Sequence, residues 1–252
     1  MSIPNDLDGG LKLITNFTNC FNDAKLSSIP SGLFKYCVSA TNFTNCFMSC
    51  NSLTTIPSTL FSTNILVTDF TGAFYNCTSL ETIPTGLFDN NVNVINFIWT
   101  FGGCTSLTTI PTGLFDNNVN VTSFNDTFSS CEFLTVIPST LFSNNVNVIN
   151  FGNTFYYCRS LTTIPTGLFD NNVNVTQFSY TFNYCTSLTT IPTGLFDNCT
   201  GVTSFFATFA ACPFLTGDAP ELWTRVPVPN GTVCFYNDTG LTNYASIPAN
   251  WK

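Results

Sequence analysis

Histidine is missing altogether, and charged residues make up only 8% of the 252 positions. Without imidazole, general acid–base catalysis would have to rest on paired carboxylates or a perturbed lysine. The few acids stand instead in repeated turns or singly, as Asp126 and Glu132 do. A phosphate loop, a nucleophile elbow and a metal motif are absent as well. With neither a histidine nor a Cys-x-x-Cys pair, zinc is disfavoured. No enzyme is expected from this inventory, and no cofactor.

Positive charge is scarce in particular. Six Lys and Arg face 14 Asp and Glu, for a net charge of -8. That leaves no basic footprint for a phosphate backbone or an anionic lipid surface, so neither nucleic acid nor membrane is an expected partner. No apolar run is long enough to span a bilayer. The opening MSIPNDLDGG has neither a basic n-region nor an apolar h-region. The expectation is synthesis in a cytoplasm and presentation outside a cell or on a virion without an ordinary signal peptide, as lysis of a host by a phage would allow.

What the chain does have is a period. Cys50, Cys77, Cys104, Cys131, Cys158, Cys185 and Cys212 follow one another at 27-residue steps. Three phenylalanine columns keep the same step: one from Phe34 to Phe196, one from Phe43 to Phe205 and one from Phe47 to Phe209. Leu53 and Ile56, repeated through Leu188 and Ile191, add a Leu-x-x-Ile-Pro element to each unit. Fixed apolar positions at such a period mean that each unit stacks on the next and that like side chains form ladders through a continuous core.

The fold class read from this is a repeat solenoid of short parallel strands, turns and 3₁₀ segments, with little regular helix and capped at both ends. The LTTI element predicts a strand that the following Pro ends, NVTSF predicts a second extended piece, and TFSSC predicts a turn or one 3₁₀ turn. About nine coils at a strand spacing of ~4.8 Å would form a rod some ~40 Å long. The division expected is 1–25 as an N-terminal cap with a degenerate first coil, 26–212 as seven repeats, and 213–252 as C-terminal capping coils. Trp223, Tyr244 and Trp251 are placed over that last end, because an open solenoid end exposes edges and apolar surface.

The string F-x-x-C-x-S-L-T-x-I-P followed by FDNNVNVT-x-F resembles the BspA-like leucine-rich-repeat surface proteins, related to the treponemal repeat type. The resemblance runs from about Asn16 to Ile191 and weakly into both ends. It implies a leucine-rich-repeat fold and a role in adhesion or recognition, with no common ligand and no catalytic residues to carry over. The coils here are longer than that family's and lack a visible export signal, which fits the related repeats of phage tail or virion-associated proteins.

Several features admit two readings. The cysteine ladder reads as buried structural thiols, although neighbouring coils bring cysteines near disulfide range, Cys20 with Cys46 or Cys212 with Cys234. The turns beginning at Asp89, Asp116, Asp170 and Asp197 offer oxygen ligands that would suit calcium. Ser62 and Ser143 interrupt that column, and Asx turns are the simpler reading. Sequons at Asn16, Asn76, Asn120, Asn174 and Asn230 admit glycosylation in a suitable compartment.

The best pointer to recognition is what varies within so rigid a repeat. Flanking the second and third phenylalanine columns stand Tyr75, Trp99, Asn125, Asp126, Asn153, Tyr156, Tyr157, Arg159, Tyr180 and Tyr184. Aromatics with polar tips among amides can stack on sugar rings or anchor a protein; alternatively they pack over the edge of the phenylalanine core. The function expected is non-enzymatic recognition or adhesion toward a glycan or cell-surface protein. A coat or fibre subunit that self-associates through flat uncharged faces is the alternative, and an ice-binding face formed by threonine pairs such as Thr108 and Thr109 is a third.

Overall fold

Each 27-residue step closes one coil, and like residues of successive coils lie above one another in the computed structural model, which describes residues 11–252. In the third phenylalanine column, Phe21 through Phe235, rings stack within 8° of parallel at centroid steps of 5.3–5.9 Å. The first column, Phe34 through Phe196, steps by 6.0–6.5 Å. The second tilts against the first, with Phe97 and Phe115 centroids 4.6 Å apart. Offset stacks along each column and tilted contacts between columns are the arrangements that the ring quadrupole favours. These rings, the Leu and Ile of each Leu-x-x-Ile element, and the ladder cysteines form one continuous core.

The expectation of short parallel strands is corrected. Among the described residues strand pairing between coils is confined to isolated parallel bridges. One column runs without a gap through Asn16, Asn42, Asp69, Asn96, Ser123, Asn150, Gln177, Ser204 and Asn230. A sparser one joins Thr82, Thr109 and Val136, then Thr190 and Thr216. The fuller ladder therefore lies at the segment before the second phenylalanine, not at LTTI. Proline supplies the reason at LTTI: Pro84, Pro111 and their equivalents end the ladder one residue after the Ile, having no N–H to donate.

The segment expected to be a simple turn carries the densest backbone bonding in the coil. Phe97, Trp99, Phe101 and Gly103 donate their N–H groups to Ser123, Asn125, Thr127 and Ser129 of the next coil at 2.7–3.3 Å. The residues between them close i→i−3 turns, Thr100 onto Phe97, Gly102 onto Trp99 and Cys104 onto Phe101. The same four donors per coil recur down the rod and all point toward the C-terminal end.

The opposite turn is tied by side chains. Asn118 is fully buried, and its Nδ2 donates to Phe88 O at 3.2 Å and Asn91 O at 2.9 Å in the preceding coil. Asn64, Asn91, Asn145 and Asn172 repeat that pair of bonds, each leaving its Oδ1 without a donor. Asn117 and Asn120 reach back on either side to Asp89 O and Val92 O. Local Asx turns do not describe these asparagines, because their amides bond across coils. The acid before them folds over its own turn, where Gly113, at φ +77°, leaves room for the Asp116 carboxylate.

All twelve cysteines are free thiols. Each ladder thiol donates to a phenylalanine carbonyl one coil back, as Cys131 does to Phe101 O at 3.3 Å. Burial pushes the Cys50 and Cys77 thiols up to about 11 and about 12, and raises Cys104, Cys131 and Cys185 well above the ordinary thiol value. Thiols held so far from the thiolate are poor nucleophiles and poor metal ligands.

Toward the C-terminus the ladders change partners. Cys199 takes the buried asparagine position, and Arg225 donates to Cys199 O and Phe196 O at 2.8 and 2.7 Å, the two bonds that a further asparagine would make. Asp238 stands where the next ladder cysteine would, fully buried, with Oδ1 accepting Cys212 N–H at 2.8 Å. A last 3₁₀ turn, Ala249–Trp251, lays its indole against Gly231, where any side chain would collide with it. Val233 and Phe235 donate to Asn250 O and Trp251 O. At the other end, residues 1–10 of the segment expected as a cap lie outside the described residues. Among the described residues no helix is long and apolar enough to cross a membrane.

Candidate functional site

Every regular coil holds two left-handed residues four apart, on either side of the third-column phenylalanine. Alternate residues there must aim N–H at the next coil while the others turn back, and positive φ is what achieves this. Glycine and asparagine enter that region most readily, and Asn45, Gly72, Asn76, Gly103 and Asn153 occupy these positions. In the central coils the same positions hold Trp99 (φ 59°), Asp126 (57°), Tyr157 (62°), Tyr180 (60°) and Tyr184 (59°). For the Trp and Tyr side chains the left-handed region costs on the order of 1–2 kcal/mol each.

These residues meet one another at the surface. Trp99, 39% exposed, packs edge-on against Tyr75 at 5.2 Å between centroids. Tyr156 lies 5.7 Å from Tyr157, 6.4 Å from Tyr180 and 6.3 Å from Tyr184, and Tyr157 lies 5.6 Å from Tyr184. The Arg159 guanidinium sits 4.0 Å from the Tyr157 ring centroid and donates to its hydroxyl. None of these six aromatics makes a ring contact with the three phenylalanine columns; Tyr180 adds Phe206, a non-ladder residue, at 5.1 Å. The aromatics thus make their ring contacts with one another rather than with the phenylalanine columns.

Between the two aromatic groups lies the central coil with its acid. Asp126 Oδ2 accepts Asn125 Nδ2 at 2.6 Å and, from the next coil, Asn153 Nδ2 at 3.4 Å. Asn125 Nδ2 also reaches Gly152 O at 2.9 Å. Asp126 is only 5% exposed, and burial raises its carboxyl to about 6 against the pull of Asn153, Ser129 and Asn125. All ten residues singled out in the sequence therefore fall on one face over five consecutive coils, in two aromatic groups and one amide–carboxyl group. What sequence reasoning missed is the small-residue set between them, Gly102, Gly103, Ser129, Ser130 and Gly152, together with Phe206. The signal was present in the same columns, since residues 27 apart alternate between very large and very small.

A cleft lies elsewhere. A space of about 520 Å³ opens where the period breaks, lined by Asp197, Thr203, Arg225, Val226 and Val228 among others. Its one cation is committed to backbone carbonyls, and it contains none of the residues above, so the aromatic face is the better candidate. Among the described residues no three His, Cys, Asp or Glu side chains gather to hold a metal ion.

No protein-family model matches the chain, and no curated protein matches it. Among solved structures it is similar to the Toll–Spatzle complex from Drosophila, at 19% identity over 86% of this chain and 35% of that one, with a TM-score of 0.34. A leucine-rich repeat protein from Bacteroides ovatus is 18% identical over 90% and 75%, with a TM-score of 0.34. The leucine-rich-repeat ectodomain of the Arabidopsis thaliana receptor kinase GASSHO1/SCHENGEN3 is 18% identical over 77% and 24%, at 0.38. The chain spans about a third of the first of these and a quarter of the last. Its own coils, described above, establish the solenoid.

Proposed function

We propose that this chain is a non-enzymatic recognition module of leucine-rich-repeat type, displayed on a virion or cell surface, that engages a glycan or a surface protein through its aromatic face. The observation that carries the reading is the occupation of left-handed positions by Trp99, Tyr157, Tyr180 and Tyr184. Glycine or asparagine would serve the coil there at lower cost, as they do in neighbouring coils. Rigid aromatics with polar tips, partly exposed and gathered on one face, are the side chains that dominate binding energy at recognition surfaces. The test is attachment of the labelled chain to a panel of bacterial and eukaryotic cells. Attachment to one cell type that falls at least tenfold in the Trp99→Asn, Tyr157→Asn double variant supports the reading; attachment indifferent to both changes refutes it.

A second reading has its own observation. Val92, Val119, Val146 and Val173 form an exposed column on the turn face, 44–52% accessible, with Ile65 in line at 54%. A straight aliphatic ridge of this kind suits lateral packing of one rod on another. Mass photometry separates the two: ordered oligomers that dissolve on Val119→Lys, Val146→Lys substitution favour a coat or fibre subunit, and a monomer at micromolar concentration removes that reading.

A further inference from the structure

The cleft where the period breaks has a polarity that its place in the repeat dictates. On the turn face of the interior coils, two asparagines flank the buried one and give their amides to carbonyls of the preceding coil. Asn117 reaches Asp89 O at 3.2 Å and Asn120 reaches Val92 O at 3.0 Å. Asn144 and Asn147 repeat this onto Asp116 O and Val119 O. The last coil is one residue short: Asn150, Gln177 and Ser204 step by 27 residues along the bridge column, but Ser204 pairs with Asn230, 26 residues on. On that register Arg225 falls in the buried-asparagine column, in agreement with its bonds to Cys199 O and Phe196 O. Thr224 and Pro227 then fall where the two flanking asparagines belong.

Neither replacement supplies the missing amide. The Thr224 hydroxyl donates to Glu221 O at 2.7 Å, and proline has no donor at all. Among the described residues no donor reaches Asp197 O or Thr200 O, the counterparts of Asp89 O and Val92 O. Both residues are exposed and line the cleft of about 520 Å³, with Val226, Pro227 and Val228 as its apolar wall. A volume of this order suits a small ligand or one large side chain. An occupant that displaces water from two carbonyls must return donors to them, which excludes a carboxylate, a sulfate or a phosphate. A cation is opposed by the Arg225 guanidinium in the lining. The Asp197 carboxylate does not offset it by facing the cleft, since it folds back over its own turn, 3.2 Å from where a Cβ on Gly194 would stand. A hydroxyl brings one hydrogen where a primary amide brings two. What remains is a neutral amide on an apolar stem.

We propose that this cleft binds an asparagine or glutamine side chain of a partner protein, its amide donating to the carbonyls of Asp197 and Thr200 as the rod's own asparagines do one coil earlier, and its stem lying on Val226 and Val228. The site is separate from the aromatic face. The experiment follows the backbone amide resonances of the isotopically labelled full chain during titration with N-acetylglutamine methylamide, with the lysine and glutamate analogues as comparisons. Saturable shifts confined to Thr200–Thr203, Val226 and Val228 are expected with the glutamine probe, and none that saturate with the other two. Two variants test the assignment. Thr224→Asn places an amide of the chain's own where Asn117 has one, and Val228→Glu sets an acceptor-only group at a position that is 62% exposed and so tolerates it; thermal melts verify that both fold. Each is expected to weaken the glutamine probe at least tenfold. No saturable shift at the cleft, tighter binding of the lysine or glutamate probe, or an affinity unchanged in both folded variants overturns the proposal. Cell attachment through Trp99 and Tyr157 is read independently of all of these, so the recognition reading stands or falls on its own test.

Discussion

The two long faces of this rod join coil to coil by different means, and their sequences differ accordingly. On the turn face the bonds between coils are made by side chains: Asn117, Asn118 and Asn120 each donate into the preceding coil, and the same asparagines return every 27 residues. On the aromatic face the backbone itself makes them, four N–H donors per coil running from Phe97, Trp99, Phe101 and Gly103. Where side chains hold the stack they must repeat. Where the main chain holds it, the outward side chains are released, and it is there that Gly72, Trp99, Asp126, Asn153 and Tyr180 follow one another in a single column. The lesson is that irregularity in a repeat is informative only once one knows which groups carry the repeat.

Four substitutions test this contrast. The largest effect is expected in the core beneath both faces: Phe128→Ala removes a ring stacked on Phe101 and Phe155 and should cost about 3–5 kcal/mol in urea unfolding. Next, on the turn face, Asn118→Ala removes the inter-coil hydrogen bond from each of the buried carbonyls of Phe88 and Asn91, which keep only the N–H groups of Asn91 and Val94 in their own coil, and should cost about 1–3 kcal/mol by the same measurement; no measurable cost would mean that the asparagine column is ornament. Asp238 marks the end where a ladder thiol is replaced by an acid. Burial raises its carboxyl to about 8 in the folded chain, so the ionised form is the disfavoured one. Its contribution is fullest below about pH 4, the ordinary carboxylate value, and declines as pH climbs toward about 8. Asp238→Asn, which keeps the acceptor for Cys212 N–H, should raise Tm at pH 7 and flatten the alkaline loss, by about 1–3 kcal/mol. The smallest effect on stability is expected on the aromatic face: Tyr184→Asn copies Asn76 at the equivalent left-handed position and should leave unfolding within about 1 kcal/mol of wild type, or slightly more stable. Loss of more than that would mean the aromatics are structural after all.

The ladders were legible in the sequence because a column repeats its residue, and the 27-residue step of Cys50 through Cys212 needs no further information. The left-handed alternation was not, since Trp99, Asp126 and Tyr180 conceal a conformation that only glycine or asparagine would advertise; the clue lay in Asn45, Gly72 and Asn153 one or more coils away. The β-branched content of LTTI predicts a strand there, but local propensity is weaker than the proline that follows it, and the segment keeps only isolated bridges. The asparagines were assigned to local turns because sequence proximity favours short loops, whereas stacking brings a carbonyl 27 residues away within hydrogen-bond reach. For the site, the residues themselves were readable from their departure from the columns. Their grouping was not, because it depends on which of them face the small side chains of Gly102, Ser129 and Gly152.

The one-way run of amide donors on the aromatic face makes this rod a directional object. Each coil there gives hydrogens forward and takes them from behind, so an inserted segment that is not a whole coil would put donors out of register with acceptors along the join. Edits to such a gene are tolerated in quanta of one coil, always in the same sense. Tandem duplication of a whole unit would lengthen the molecule while keeping every forward donor opposite an acceptor.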